Sequence, residues 1–301
     1  MRWNITHAAR FVYHTEQAMN ESNESSGFAG PALMPPALSS KGGSPVPVLE
    51  SPLLAASGFS HAFFTRLGGV SQPPWDSLNF LAAVGDEPAA VVENRRRAAG
   101  ALGIGPERLY FLSQVHGSAY RALDGTEDWD EVVRSVGDIT LSRTAGVGCG
   151  VRTADCVPVL VADRRSGGVA AIHSGWRGTA DRVVVAGVRA LRELIGGDGE
   201  LIAAIGPHIE ACCFEVGEDV ARELAGASSV GEGAVIRDRA KPHVDLRKIV
   251  RAQLEEAGLA PGSMDDVRGC TVCDGSRFHS FRRDRDRSGR LLSAIVARGP
   301  A

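Results

Sequence analysis

The chain has 301 residues, a formal net charge of −3, 44% hydrophobic residues and 6% aromatic residues. That is enough apolar material for a core in one large domain or two small ones. The weak negative charge and few aromatics argue against nucleic-acid binding. No apolar run reaches membrane-span length, and the polar N-terminus lacks an apolar signal core. The 6 cysteines are too few for a disulfide scaffold in a chain this long. A cytoplasmic protein with neither a membrane nor a nucleic-acid partner is expected.

In chain order, residues 1–46 read as a disordered or linker-like tail. Glu21-Ser22-Asn23-Glu24-Ser25-Ser26-Gly27 and the Pro/Gly/Ser-rich stretch from Pro35 to Pro45 carry that composition. The pattern allows one short amphipathic helix over 9–19. The tail is expected to be dispensable, with Met34 as an alternative start. From residue 47 onward, helices are predicted over 89–102, 180–195, 218–224 and 246–257. Strands are predicted over 109–115, 146–152, 157–163, 168–173, 201–205 and 291–297. Hairpin-type and helical connections alternate, which points to mixed sheets with helices outside. No repeat of fixed period is evident.

Three stretches carry the chemistry. They are Ser113-Gln114-Val115-His116-Gly117, Ala154-Asp155-Cys156-Val157-Pro158 and His173-Ser174-Gly175-Trp176-Arg177-Gly178. Two imidazoles and a thiol suit a zinc ion, and three protein ligands leave a fourth position open for water or substrate. The turn Arg164-Arg165-Ser166-Gly167 closes a hairpin. Cys156 and His173 are then expected to face each other where the strands open, about 5 Å apart by Cα. His116 ends the run 109–115, which we expect to arrive at the same point. After His173 the chain bends into a helix with Val184, Val188, Leu191 and Ile195 as its apolar stripe. Thr179 or Asp181 is expected near its start and Gly196-Gly197 at its end. Its N-terminus and Arg177 would form an anion site near the metal.

These motifs resemble the bacterial purine nucleoside phosphorylase family once labelled laccase-domain or polyphenol oxidase proteins. The resemblance spans about 47–298. It also takes in Phe64-Thr65-Arg66-Leu67-Gly68-Gly69-Val70-Ser71, Leu78-Asn79-Phe80, Val84-Gly85-Asp86 and Glu93-Asn94-Arg95. Further on it includes Gly206-Pro207-His208-Ile209, Cys212-Cys213-Phe214-Glu215-Val216-Gly217, Cys270-Thr271, Phe281-Arg282-Arg283-Asp284 and Gly289-Arg290. It implies a single α/β (mixed α+β) domain over 47–301, with layered mixed sheets flanked by helices. The family's zinc ligands fall on His116, Cys156 and His173. The resemblance implies cleavage of purine nucleosides with phosphate, and in some members deamination of adenosine; for this chain adenosine, inosine or methylthioadenosine is the expected substrate.

On this basis the expected activity is zinc-dependent phosphorolysis of purine nucleosides by a monomer or small homo-oligomer. Arg66 and Arg177 are the phosphate candidates. Asp155 is a candidate for orienting a ligand or for acid–base work, and Gln114 for a hydrogen bond near the metal. Phe281 and Arg282 are candidates for the pocket's edge, by resemblance. Other readings stay open at the level of residues. The same site could serve a metal-dependent hydrolase or amidase, or Cys156 could be a nucleophile with His173 as base and Asp155 as orienter. A non-catalytic, metal-stabilised binding protein is a further reading. Strand alternation points Asp155 away from Cys156, which weakens the triad. Copper could enter the site and give weak polyphenol oxidation, but a full multicopper centre needs an imidazole-rich cluster. The chain has 8 His and no His-x-His pair. His208-Ile209-Glu210 followed by Cys270-Thr271-Val272-Cys273 imitates a zinc deaminase pattern, with Gly269 where that pattern has Pro. Adjacent Cys212-Cys213 is read as structural, and Cys149 as core.

Overall fold

Every residue from Val157 to Asp163 is buried. An apolar run without polar alternation requires this, because such a strand must be covered on both faces. The computed structural model describes residues 38–39 and 46–300. The predicted helix over 9–19, the alternative start at Met34 and nearly all of the predicted tail lie outside the described residues. Ser39 is described, and it is not free linker. It forms an antiparallel bridge to Val48, with Ser39 N donating to Val48 O and Val48 N to Ser39 O, both at 2.9 Å.

The strands among the described residues are β1 (Val48–Leu49), β2 (His61–Phe64), β3 (Leu109–Tyr110), β4 (Tyr120–Ala122), β5 (Ile139–Ser142), β6 (Gly148–Thr153) and β7 (Val157–Asp163). They continue with β8 (Val169–Ser174), β9 (Leu201–Ile205), β10 (Val235–Ile236), β11 (His243–Val244), β12 (Met264–Asp266) and β13 (Leu291–Val296). The helices are α1 (Pro52–Ala56), α2 (Pro88–Leu102), α3 (Trp129–Arg134), α4 (Trp176–Ala180), α5 (Val183–Ile195), α6 (Glu218–Ala225), α7 (Leu246–Glu256) and α8 (Phe281–Asp284).

One mixed sheet runs β1-β2-β13-β6-β3 and a second runs β12-β9-β7-β8-β5-β4, with β10 and β11 paired apart. Side-chain alternation builds the layers. Val157, Val159 and Val161 of β7 face Val184, Val188 and Leu191 of α5 and Ile249, Val250 and Leu254 of α7. Leu160 and Ala162 face the other way, into a core shared with Phe63, Tyr110, Val151 and Ile295 of the first sheet. Beyond that sheet, Phe64, Leu292 and Ala294 pack on Ala98 and Leu102 of α2. The mixed α/β architecture is therefore the expected one, with two sheets face to face and helices outside.

Two expected elements differ. The run 109–115 pairs only over β3, because Phe111 to Val115 leave the ladder and Ser113 bridges Val136 instead. Of the helix expected over 180–195, residues 183–195 form α5; it starts later than expected because Arg182, at φ 58, separates it from the short α4 that ends at Ala180. Neither Thr179 nor Asp181 caps a helix start. Thr179 Oγ1 donates to Gly175 O at 2.9 Å inside the first turn, and Asp181 closes α4. Gly196, at φ 76, ends α5 in the left-handed cap that glycine favours.

Candidate metal centre and active site

The site forms where β7 begins and β8 ends. The register pairs Val157 with Ser174 and Pro158 with His173. Cys156 thus lies across from Gly175, and the expected direct Cys156–His173 pair is wrong by two residues. The two are diagonal neighbours on one face of the hairpin, still within side-chain reach. His116 comes from the loop between β3 and β4, in the left-handed region at φ 64, a conformation uncommon for a residue with a Cβ. The donor atoms of His116, Cys156 and His173 all lie within 4.8 Å of one another. Cys156 Sγ is 3.7 Å from His116 Nε2, and the two imidazole centroids are 4.9 Å apart.

The surroundings prepare these donors. His173 is buried, Cys156 half-buried and His116 exposed, so the group opens to solvent on the His116 side. A Cβ on Gly175 would overlap His116 Cδ2 and stand 3.1 Å from Cys156 Sγ. Only glycine leaves room there for the imidazole and the thiol together. Gln114 Nε2 donates to Arg152 O, and Arg152 N donates to Gln114 Oε1, both at 2.7 Å. Gln114 therefore ties the His116 loop to β6; its amide is committed to the backbone.

Asp138, immediately before β5, is the residue sequence reasoning missed. Its carboxylate accepts from His173 Nδ1 at 2.8 Å, His116 N at 2.9 Å, Gly117 N at 2.8 Å and Val115 N at 3.2 Å. One side chain thus orients one imidazole and anchors the loop that carries the other. The bond to His173 Nδ1 leaves Nε2 as the free donor, the second-sphere arrangement of metal-ligating histidines. The available signal was an acid placed directly before the apolar run Ile139-Thr140-Leu141.

Charge follows geometry. Burial pushes the Cys156 thiol up, but the positive charge of His173 and hydrogen bonds from both imidazoles outweigh it, leaving the thiol at about 6. Burial pushes His173 down, but the Cys156 thiolate and Asp138 hold it at about 9. Asp138 is raised by burial, yet its His173 and backbone partners keep it below the usual carboxylate range. The donor set is a thiolate beside two histidines, one fixed by a carboxylate, and a bound cation would take the place of the proton that gives His173 its charge. This fits a borderline-soft ion with an open coordination position.

The other predicted residues divide. Asp155, at φ 89, turns away from the thiol; its carboxylate accepts from Thr271 Oγ1 and from Arg282 N, each at 2.6 Å. The orienter of His173 is Asp138, so the triad with Asp155 does not assemble. Arg282 donates its Nη1 to Glu215 O at 3.0 Å, and Phe281 is exposed. Arg66 donates to Asp76 O at 2.7 Å, to Gly275 O at 3.0 Å and to the Asp76 carboxylate at 3.2 Å. Arg177 is exposed on α4, its guanidinium 4.4 Å from the Trp176 ring centroid. His208 turns Nδ1 to Gly206 O at 2.8 Å and is not part of a metal-competent group, so the deaminase-like pattern is not assembled.

Residues 60–298 match the family described as multi-copper polyphenol oxidoreductase laccase. A purine nucleoside phosphorylase of Deinococcus radiodurans is 38% identical over 253 residues, covering 83% of this chain and 92% of its own. The purine nucleoside phosphorylase YfiH of Escherichia coli is 36% identical over 233 residues, covering 77% and 90%. The chain belongs to this purine nucleoside phosphorylase family. The solved structure of YlmD from Geobacillus stearothermophilus shares 30% identity and superposes with a TM-score of 0.79, over 88% of this chain and all of that one. Among the described residues two groups of metal-competent side chains occur, and only one contains imidazole.

Proposed function

We propose that this chain cleaves purine nucleosides with phosphate at a zinc ion held by His116, Cys156 and His173. One observation carries the reading: three donors within 4.8 Å, with Asp138 fixing His173 and Gly175 clearing the space. The named activity of the relatives supports the substrate class. Bound there, zinc would supply Lewis acidity toward an oxygen or nitrogen of the reactants. Phosphorolysis forms a bond from a phosphate oxygen to C1′ of the sugar and breaks the bond to the purine nitrogen, which leaves with a proton. The chain must hold phosphate against the sugar and favour the departing base. We assign phosphate to Arg177, which follows Gly175 by two residues. Arg66 is the weaker candidate; its guanidinium serves Asp76 and Gly275. Asp155, held by Thr271 and Arg282, positions the start of β7 beside Cys156, while Phe281 and Arg282 border the pocket. Deamination of adenosine is a side activity of the same centre, with water in place of phosphate.

The test is product analysis of zinc-loaded protein with adenosine, inosine and methylthioadenosine, each with and without phosphate. Phosphate-dependent release of free base with sugar phosphate is expected. Turnover of none of the three would refute the reading and leave a hydrolase or amidase at the same site. Cys156, His173 and Asp138 also supply the thiol, imidazole and carboxylate that a metal-free thiol nucleophile uses. Chelation separates the two readings: it abolishes metal-dependent phosphorolysis and spares a thiol enzyme.

A further inference from the structure

A second cluster lies outside the centre described above. Cys212, Cys213, Cys270 and Cys273 bring four sulfurs within 4.8 Å of one another. Cys212 Sγ is 3.7 Å from Cys213, 3.6 Å from Cys270 and 3.6 Å from Cys273; Cys213 and Cys273 are 3.3 Å apart. We propose that these four thiols form a structural site for a single thiophilic divalent ion, zinc first, in addition to the His116–Cys156–His173 centre. The adjacent cysteines, expected to be merely structural, converge on one point after all.

The spacing selects the occupant. Four thiolates about 2.3 Å from a tetrahedral zinc stand about 3.8 Å from one another. The observed separations are close to that edge length. A disulfide would bring two sulfurs to about 2.05 Å, and all four thiols here are free. A cubane iron–sulfur cluster places its cysteines on separate iron atoms and spreads them much farther apart. Hard cations take oxygen ligands, whereas thiolates select soft or borderline ions.

The backbone builds the cage from two matching turns. Phe214 N donates to Glu210 O at 3.0 Å in one turn, and Asp274 N donates to Cys270 O at 3.1 Å in the other. The bridge between His208 and Cys270 joins the two segments side by side. Each turn offers two sulfurs, 212 and 213 from one, 270 and 273 from the other. Arginines surround the cluster through its carbonyls. Arg239 Nη1 donates to Cys212 O at 3.0 Å, Arg282 Nη1 to Cys213 O at 3.4 Å, and Arg283 Nη1 to Thr271 O at 2.8 Å and Val272 O at 3.2 Å. Four thiolates on a divalent ion leave two net negative charges, and these guanidinium groups offset them. Metal uptake displaces four protons, one from each thiol.

The position gives the ion a purpose. Thr271, between Cys270 and Cys273, donates to Asp155, the neighbour of Cys156. Arg282 N donates to the other oxygen of the same carboxylate. The knuckle thus clamps the strand start that carries the thiol of the first centre. The proposal does not depend on the nucleoside reading.

Full-length protein loaded with zinc, and separately with cobalt(II), would be examined by native mass spectrometry. Two ions per chain are expected. His116→Ala should keep one, and its cobalt form should show the intense thiolate-to-metal charge transfer of a four-thiolate tetrahedral site. In that variant the four cysteines should resist alkylation until a chelator is added. The Cys213→Ser/Cys273→Ser double variant should also keep one ion, at the other centre. A metal-free His116→Ala protein would overturn the proposal. So would two ions retained in the double variant, or peptide mapping that finds these cysteines joined as disulfides in the native chain. If the double variant fails to fold, the ion count and alkylation pattern of His116→Ala decide the matter.

Discussion

Asp138→Asn is the sharpest perturbation of the metal centre, because it replaces a single oxygen with an NH2 group at almost no change in volume. The native carboxylate accepts four N–H groups, two on each oxygen. An amide keeps one oxygen and turns the other position into a donor. If the oxygen stays with His173 and His116 N, the NH2 confronts the N–H groups of Val115 and Gly117. If the amide flips, His173 Nδ1 loses its acceptor, and the imidazole is free to move its proton to Nε2 and lose its ligating lone pair. Asp138 is 1% exposed, so water cannot repair either arrangement. Each buried group left unpaired costs about 1–3 kcal/mol, and either orientation strands two N–H groups, so a loss of about 2–6 kcal/mol in stability is expected. Loss of the orienting carboxylate should weaken metal binding about 10- to 100-fold. Chelator-competition titration with zinc measures the second quantity and urea unfolding the first. Zinc affinity and an unfolding midpoint both equal to wild type would refute the role given to Asp138.

Other expected outcomes bear on the same chemistry. His116→Ala, Cys156→Ala and His173→Ala should each remove zinc from this centre and abolish turnover while the fold persists, as metal analysis and circular dichroism would show. Full occupancy of the centre in any of them would strike that residue from the ligand set. Gly175→Ala should disable metal binding by filling the space between His116 and Cys156; an unchanged affinity would contradict the steric reading. Arg177→Ala should raise the KM for phosphate roughly ten- to a hundredfold and leave adenosine deamination largely intact. Equal loss of both reactions with zinc retained would place Arg177 on a shared step. Acid should destabilise the fold through two buried histidines. Burial, and then the charge of Arg247, pushes His208 down to about 4; burial, and then Arg66, pushes His279 down to about 3. The unfolded chain protonates both near 6.5, so their contribution is complete above that pH and is lost as pH falls toward the folded values. At pH 5 each should account for roughly 2 kcal/mol of lost stability. His279→Leu should flatten the dependence of the urea midpoint on pH, and an unaltered slope would count against it.

The sequence alone determined the parts of this protein whose signal is local. The doubly buried hairpin follows from an unbroken apolar run around Arg164-Arg165-Ser166-Gly167, and the α5 stripe follows from helical spacing. The His116, Cys156 and His173 set was legible because thiol and imidazole chemistry is scarce in the chain and each residue lies at one end of a predicted apolar run. Tertiary structure decided what depends on meetings between distant segments. Asp138 gave no sign of its partners, since a carboxylate before a strand looks the same whether it faces solvent or an imidazole. The register, which sets Pro158 opposite His173, was displaced from the expected one because the ladder runs on to pair Val157 with Ser174. The commitment of Gln114 to Arg152, and of Arg66 to Asp76 and Gly275, depended on which backbone came alongside. The four cysteines span positions 212 to 273, and the pairing of His208 with Cys270 brings them together. A spacing pattern records distance along the chain, whereas metal coordination depends on distance through space.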